Sequence, residues 1–104
     1  MVECAITIMH PAAGKEKDFE KFLSRELHHL MKAKGMQGAL LMHYEGEPAT
    51  YLTIGFWDSR GEWYTSMQES KLRERMRPYL IKNPRTRWYQ TIAKAQGSEF
   101  KGSK

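Results

Sequence analysis

The spacing of apolar residues switches between two and about 3.6 in one fixed order along this chain, and that order restricts the fold more than any single motif does. Residues 3–9 alternate, with Cys4, Ile6 and Ile8 on one face and Ala5, Thr7 and Met9 on the other, and stop at His10 and Pro11, where proline ends pairing. From Lys15 the spacing becomes helical: Phe19, Phe22, Leu23, Leu27, Leu30 and Met31 recur at three and four, with Lys, Glu and Arg opposite. This predicts a helix to about residue 34, with Gly35 as its left-handed stop. A strand over 37–44 follows, then Glu45, Gly46, Glu47 and Pro48 as a tight connection into a strand over 50–57. Ser59 and Glu62 stand at the spacing of a capping box and open a second helix with Trp63 and Met67 inward. Ser70 caps a further helical turn that carries Leu72, Met76, Tyr79 and Leu80, and Pro78 distorts its end. Asn83 and Pro84 make a turn into a last strand over 86–94.

Strand, helix, strand, strand, helix, strand is the split βαβ order of an α+β, ferredoxin-like βαββαβ sandwich. At 104 residues and 12.2 kDa the chain has room for one such domain, over 1–96. Gly97, Ser98, Glu99 and Phe100 read as the translation of two adjacent cloning sites, so 97–104 is set aside as a tail. No apolar run approaches the roughly 20 residues of a membrane span, and the first residues lack the pattern of an export signal. The expectation is a cytoplasmic protein with no membrane partner. A single cysteine, Cys4, excludes an intramolecular disulfide and a four-ligand zinc site built on cysteines.

A sheet covered by helices on one side can leave the other to water, and its outward residues are then polar. Here they are not. Leu52, Ile54 and Phe56 line one face of the third strand, Tyr51, Thr53, Gly55 and Trp57 the other, and the second strand is apolar through Ala39, Leu40, Leu41 and Met42. Two helices cover one face only, so a second copy is expected on the other, as a homodimer with sheets face to face. The Thr53, Gly55, Trp57 face offers a hydroxyl, a missing side chain and an indole. Glycine inside a strand marks a place of close approach. The space at Gly55 is either a hollow for a planar ligand under the first helix or room for a bulky residue such as Phe22.

Charge is unevenly spread. The chain carries +5, yet 71–87 alone carries +6, from Lys71, Arg73, Arg75, Arg77, Lys82, Arg85 and Arg87 against Glu74. Such a segment suits a solvated surface or an anionic partner. The order βαββαβ also occurs in RNA-recognition domains, which stack bases on aromatics of the first and third strands. The first strand here has no aromatic, and the third lacks the basic-Gly-aromatic pattern, so no nucleic-acid partner is expected. His28 and His29 are adjacent on a helix and point about 100° apart, so they cannot share one metal ion.

The stretch Tyr51, Leu52, Thr53, Ile54, Gly55, Phe56, Trp57, Asp58, Ser59, continued through Trp63 to Ser70, resembles the antibiotic biosynthesis monooxygenase family. So do the turn with Pro11, Gly14 and Lys15 and the approach to the second strand with Gly35 and Gly38, and the similarity runs over about 2–95. The resemblance implies a dimeric α+β barrel. In the haem-degrading branch, the positions of a strand Asn, a helix Trp and a His ligand fall here at Thr7, Ser66 and Arg75 or Met76, none of which matches, which makes haem the weaker expectation.

The other branch oxidises polycyclic phenols, anthrones or quinols with O2 as co-substrate and no cofactor. Its pocket positions correspond here to Thr53, Trp57, Trp63 and Arg73 or Arg77. The implied function is a cofactor-independent monooxygenase acting on a small aromatic substrate. Trp57 and Trp63 would stack on its rings, with Gly55, Phe22, Tyr64 and Arg77 around them, Thr53 and Arg73 would stabilise an oxyanion, and His43 or Tyr64 would accept a proton. The competing expectations are core anchoring for the two tryptophans and a noncatalytic dimer that binds a small ligand.

Overall fold

In a computed structural model, which describes residues 2–93, 95 and 97, the elements follow the predicted order. They are β1 (Glu3–Met9), α1 (Glu16–Leu30), β2 (Met36–Tyr44), β3 (Thr50–Trp57), α2 (Arg60–Ser70), α3 (Leu72–Met76), a 3-10 turn (Arg77–Tyr79) that contains Pro78, and β4 (Arg85–Gln90). All pairs in the sheet are antiparallel and the strand order is β2-β3-β1-β4, the ferredoxin-like α+β arrangement.

Four boundaries differ from the periodicity, among them the start of β4, which lies at Arg85 and not at 86. The helix α1 stops at Leu30 instead of 34, because Lys32, Ala33 and Met36 donate backbone bonds to His29, Leu30 and Ala33 in successive tight turns. Gly35 is left-handed at φ +87°, but it turns the chain into β2. A side chain there would also occupy the place of the Glu62 carboxylate. The strand β2 begins at Met36, with a bulge before Gly38 that sets Met36 opposite Trp57. The strand β4 ends at Gln90, not at 94, because its partner β1 begins at Glu3, opposite Gln90, and the last bond is Thr91 N–H to the Val2 carbonyl at 3.3 Å. Ile92 then stands in the open, while Lys94 and the 98–104 part of the tail lie outside the described residues.

The caps form in part: the Glu62 carboxylate does not return a bond to Ser59, its buried Oε1 having no partner among the described residues, and the residue at the N-cap of α3 is Lys71, one after Ser70. Ser59 Oγ accepts from the Glu62 N–H at 3.2 Å, and Ser70 Oγ accepts from the Leu72 N–H at 3.3 Å. The residue between α2 and α3 is Lys71, left-handed at φ 55°, and after this bend α3 buries Leu72 and Met76.

The core lies between the sheet and the helices and is built from Met9, Phe19, Phe22, Leu23, Tyr51, Leu72 and Met76. Each such side chain contributes about 1.5–3 kcal/mol when withdrawn from water. The other face, with Ile6, Ile8, Leu52, Ile54 and Phe56, is only half-buried, and Leu40 and Met42 on it are 39% and 44% exposed. Among the described residues no helix is long and apolar enough to cross a membrane.

Candidate functional site

The strand register leaves a pit on the helix side of the sheet. Ala39 pairs with Gly55 and Gly55 with Ala5, so three minimal side chains lie abreast on three strands. The next row beyond them is Leu41, Thr53, Thr7 and Thr86. Alternation puts both rows on the same face, so the floor has a strip of minimal side chains beside a strip that carries three threonine hydroxyls. Over it lies a cavity of about 60 Å³, roofed by Leu27 and Leu30 of α1 and walled by Trp57, Trp63, Met67 and Arg73.

The aromatic walls hold one another. Trp63 meets Trp88 edge to face, with centroids 5.2 Å apart at 89°, and the guanidinium carbons of Arg73 and Arg60 lie 5.8 Å and 5.3 Å over Trp63 and Trp88 respectively. Trp57 is 2% exposed, and its Nε1 lies 2.9 Å from the point where a Cβ on residue 55 would stand. The room at Gly55 is therefore used by the indole two residues along the same strand and not by Phe22.

Arg73 is the polar element of the wall. Its Nη1 donates to the Pro84 carbonyl at 3.2 Å and its Nη2 to Thr86 Oγ1 at 2.5 Å, and Thr86 Oγ1 lies 2.8 Å from Thr7 Oγ1. Among the described residues these partners are neutral, and burial lowers the guanidinium pKa from its ordinary value without removing the charge. A cation so placed, with a file of hydroxyls beneath it, can stabilise negative charge on a bound molecule.

Five of the residues singled out from the sequence thus meet at one cavity: Thr53, Gly55, Trp57, Trp63 and Arg73. The other four lie elsewhere. Phe22 is core, stacked with Phe19 and 5.1 Å from the Tyr79 ring. His43 is exposed at the far end of β2, stacked at 4.7 Å on Tyr51. Tyr64 is 57% exposed and accepts from Gln68 on the outer side of α2, and Arg77 is exposed beyond the end of α3. Neither His43 nor Tyr64 can take a proton inside the cavity.

The reading of the residues missed Thr7 and Thr86, which the pairing of β4 with β1 adds to the hydroxyl row, Trp88 behind Trp63, and Glu26 in the wall. Glu26 could have been found: it stands four after Phe22, three after Leu23 and four before Leu30, on the apolar stripe of α1. The basic segment is not one patch, since Arg73 turns to the cavity, Arg75 pairs with Glu26, and Arg85 and Arg87 stand beside Ile8 and Ile6 on the opposite sheet face. No histidine lines the cavity, so its side chains do not fit an imidazole-ligated haem, and among the described residues no group of three His, Cys, Asp or Glu gathers as a metal site.

Neither a family model nor a curated protein matches the sequence. Solved structures do match. A candidate antibiotic biosynthesis monooxygenase from Nitrosomonas europaea superposes with a TM-score of 0.78 at 8% identity, over 88% of this chain and 90% of that one. Another from Bordetella bronchiseptica gives 0.76 at 19% identity, over 88% and 98%. SnoaB of Streptomyces nogalater, a cofactor-independent oxygenase, gives 0.74 at 9% identity, over 89% and 95%. The chain has the fold of the antibiotic biosynthesis monooxygenases.

Proposed function

We propose that this protein is a cofactor-independent monooxygenase of electron-rich phenols, anthrones or quinols, working as a homodimer with O2 as co-substrate. The observation that carries this reading is the Arg73 guanidinium, which among the described residues meets neutral groups, set beside a row of threonine hydroxyls in a cavity walled by Trp57 and Trp63. The same fold in a cofactor-independent oxygenase adds support at the level of architecture.

Closed-shell organic molecules react slowly with O2 unless they can give up an electron, and an enolate or phenolate can. An anthrone gives such an anion by losing one proton to bulk water before it enters, since neither His43 nor Tyr64 lines the cavity, and the peroxide formed later takes one proton back before it loses water. Transfer of one electron to O2 leaves a substrate radical and superoxide, whose recombination forms a C–O bond and a peroxide. Loss of water then leaves a carbonyl, so the CH2 carbon gains one oxygen atom and the second leaves as H2O. No side chain changes its oxidation state. The protein has to hold the rings, stabilise the oxyanion and exclude water from the radical pair. Trp57 and Trp63 take the first role, and Arg73 with Thr53 the second.

The cavity, at about 60 Å³, is smaller than the roughly 150 Å³ space that takes up benzene in an engineered core. Entry of a polycyclic substrate therefore requires its lining to give way. Met36 and Met67 are suited to this, because an unbranched thioether side chain repacks at low cost. The half-buried apolar sheet face supports the homodimer, since an isolated chain would leave Leu40, Met42, Leu52, Ile54 and Phe56 facing water.

The test is oxygen uptake by purified protein given anthrone under air. Uptake that depends on Trp63 and Arg73 is expected. Anthrone binding with no uptake above the uncatalysed rate would replace the enzyme with a ligand-binding dimer, and a stoichiometric Soret band with haemin would return the haem branch.

A further inference from the structure

We infer that Glu26 is a second, hydrogen-bond-accepting pole of this cavity, so that the bound molecule is an aromatic with a hydroxyl directed at α1 and a carbonyl or oxyanion directed at Arg73. The inference rests on the reading of this cavity as the ligand site. It deepens that reading by assigning the ligand two opposed polar ends.

Glu26 is the one buried charged residue among those described, 5% exposed, and it lines the cavity beside Leu23, Leu27 and Leu30. Its carboxylate is gripped by Arg75, whose Nη1 donates to Oε1 at 3.0 Å and whose Nη2 donates to Oε2. The fork is itself fixed, since Arg75 also donates to the Ser70 carbonyl at 3.3 Å and lies 5.4 Å over the Phe22 ring. A bidentate arginine uses one lone pair of each carboxylate oxygen. Each oxygen keeps a second, and among the described residues no other side chain donates to it.

Withdrawing this carboxylate from water costs more than a half-exposed arginine returns, and a leucine would instead fill part of the cavity. The retained group is a fixed acceptor, with capacity left, in a wall that is otherwise apolar on the α1 side. Arg73 is a fixed donor on the α3 side, anchored over β4 through Pro84 and Thr86. An acceptor from α1 and a donor from α3 at two separate places in one lining favour a single orientation of a flat molecule that carries one donor and one acceptor. A hydroxyl or N–H satisfies Glu26, whereas a carboxylate there meets like charge.

The probes are 4-hydroxyacetophenone, which has a hydroxyl and a carbonyl at opposite ends of one ring, and 4-methoxyacetophenone, which lacks the donor. Calorimetric titration of the full chain is expected to show the hydroxy compound binding about tenfold more tightly, as befits a hydrogen bond to a charged group. Glu26→Leu should bring that ratio to about one. If Glu26→Leu does not fold, Glu26→Gln keeps the shape without the charge and should lower the ratio at least threefold.

Equal binding of the two probes by the wild type, binding of neither, or an undiminished ratio in both Glu26 variants overturns the inference. The readout is binding and not oxidation. Failure of anthrone oxidation with the ratio intact would therefore count against the proposed reaction and leave the Glu26 pole standing.

Discussion

The indole of Trp57 and the bare α-carbon of Gly55 share one place, for Nε1 lies 2.9 Å from the position of a Cβ on residue 55. Real side-chain carbons do not come so close, and the indole is 2% exposed, so it meets other side chains wherever it moves. Gly55→Ala is expected to push the indole toward Met36 and to lower stability by about 1–3 kcal/mol, the usual cost of overpacking. Gly38 is the control, with nothing within 4 Å of a Cβ there. Gly38→Ala should be neutral or gain a few tenths of a kcal/mol. Urea midpoints of the two variants, with tryptophan emission as a second probe, check the contrast.

Arg73 makes its bonds at the cavity wall to neutral groups, so its removal leaves no buried carboxylate unpaired. Arg73→Met is expected to cost less than about 1.5 kcal/mol of stability. If its charge meets the developing oxyanion, the same change should lower the turnover of anthrone by about 100-fold, as loss of one oxyanion donor does. Oxygen uptake at saturating substrate, set beside the thermal midpoint, separates the two effects.

Tyr51 donates to Glu20 Oε1 at 2.8 Å, and burial first, then the bond and charge of Glu20 and the charge of Glu16, push its pKa from 10.0 up to about 12. A phenol whose pKa is raised on folding stabilises the fold fully below the unfolded value and loses that contribution as pH rises through the folded one. The window here is pH 10.0 to about 12. The hydroxyl is at the rim and partly screened, so the loss is about 1 kcal/mol. The stability difference between wild type and Tyr51→Phe, by urea unfolding across that window, should shrink as pH rises.

Leu52 and Ile54 stand on the half-buried face opposite the cavity. In a dimer with sheets face to face, a carboxylate at either position is withdrawn from water without a partner. Leu52→Glu is expected to leave the far-ultraviolet dichroism unchanged and to convert a dimer mass into a monomer mass by light scattering at micromolar concentration. A monomer mass for the wild type would remove the homodimer.

The order of elements was legible because each strand and helix carries its own spacing, and β1 and β3 fall on the predicted residues. Ends were less legible where a partner decides them: nothing in Thr91 or Ile92 says that β1 has run out beside Gln90. The pit at Gly55 could be read from a glycine in a strand interior, but its neighbour was sought on the helix when i and i+2 of one strand already share a face. His43 and Tyr64 lacked geometry. His43 is eight residues before Tyr51 in sequence but pairs with it across the sheet, four positions along β3 from Gly55, roughly 13 Å away. Tyr64 is one residue past Trp63, and a helix turns by about 100° per residue. Glu26 was hidden by its chemistry, because a carboxylate is assigned to water unless its spacing is weighed first.

The pit over Ala39, Gly55 and Ala5 exists by omission, and omission is easily edited. Ladder bonds between strands belong to the backbone and are indifferent to which small residue sits at those sites. A methyl or two added at Ala39 or Ala5 would resize the chamber with the framework intact, so on the proposed reading the size of the ligand is set by side chains that the scaffold does not depend on.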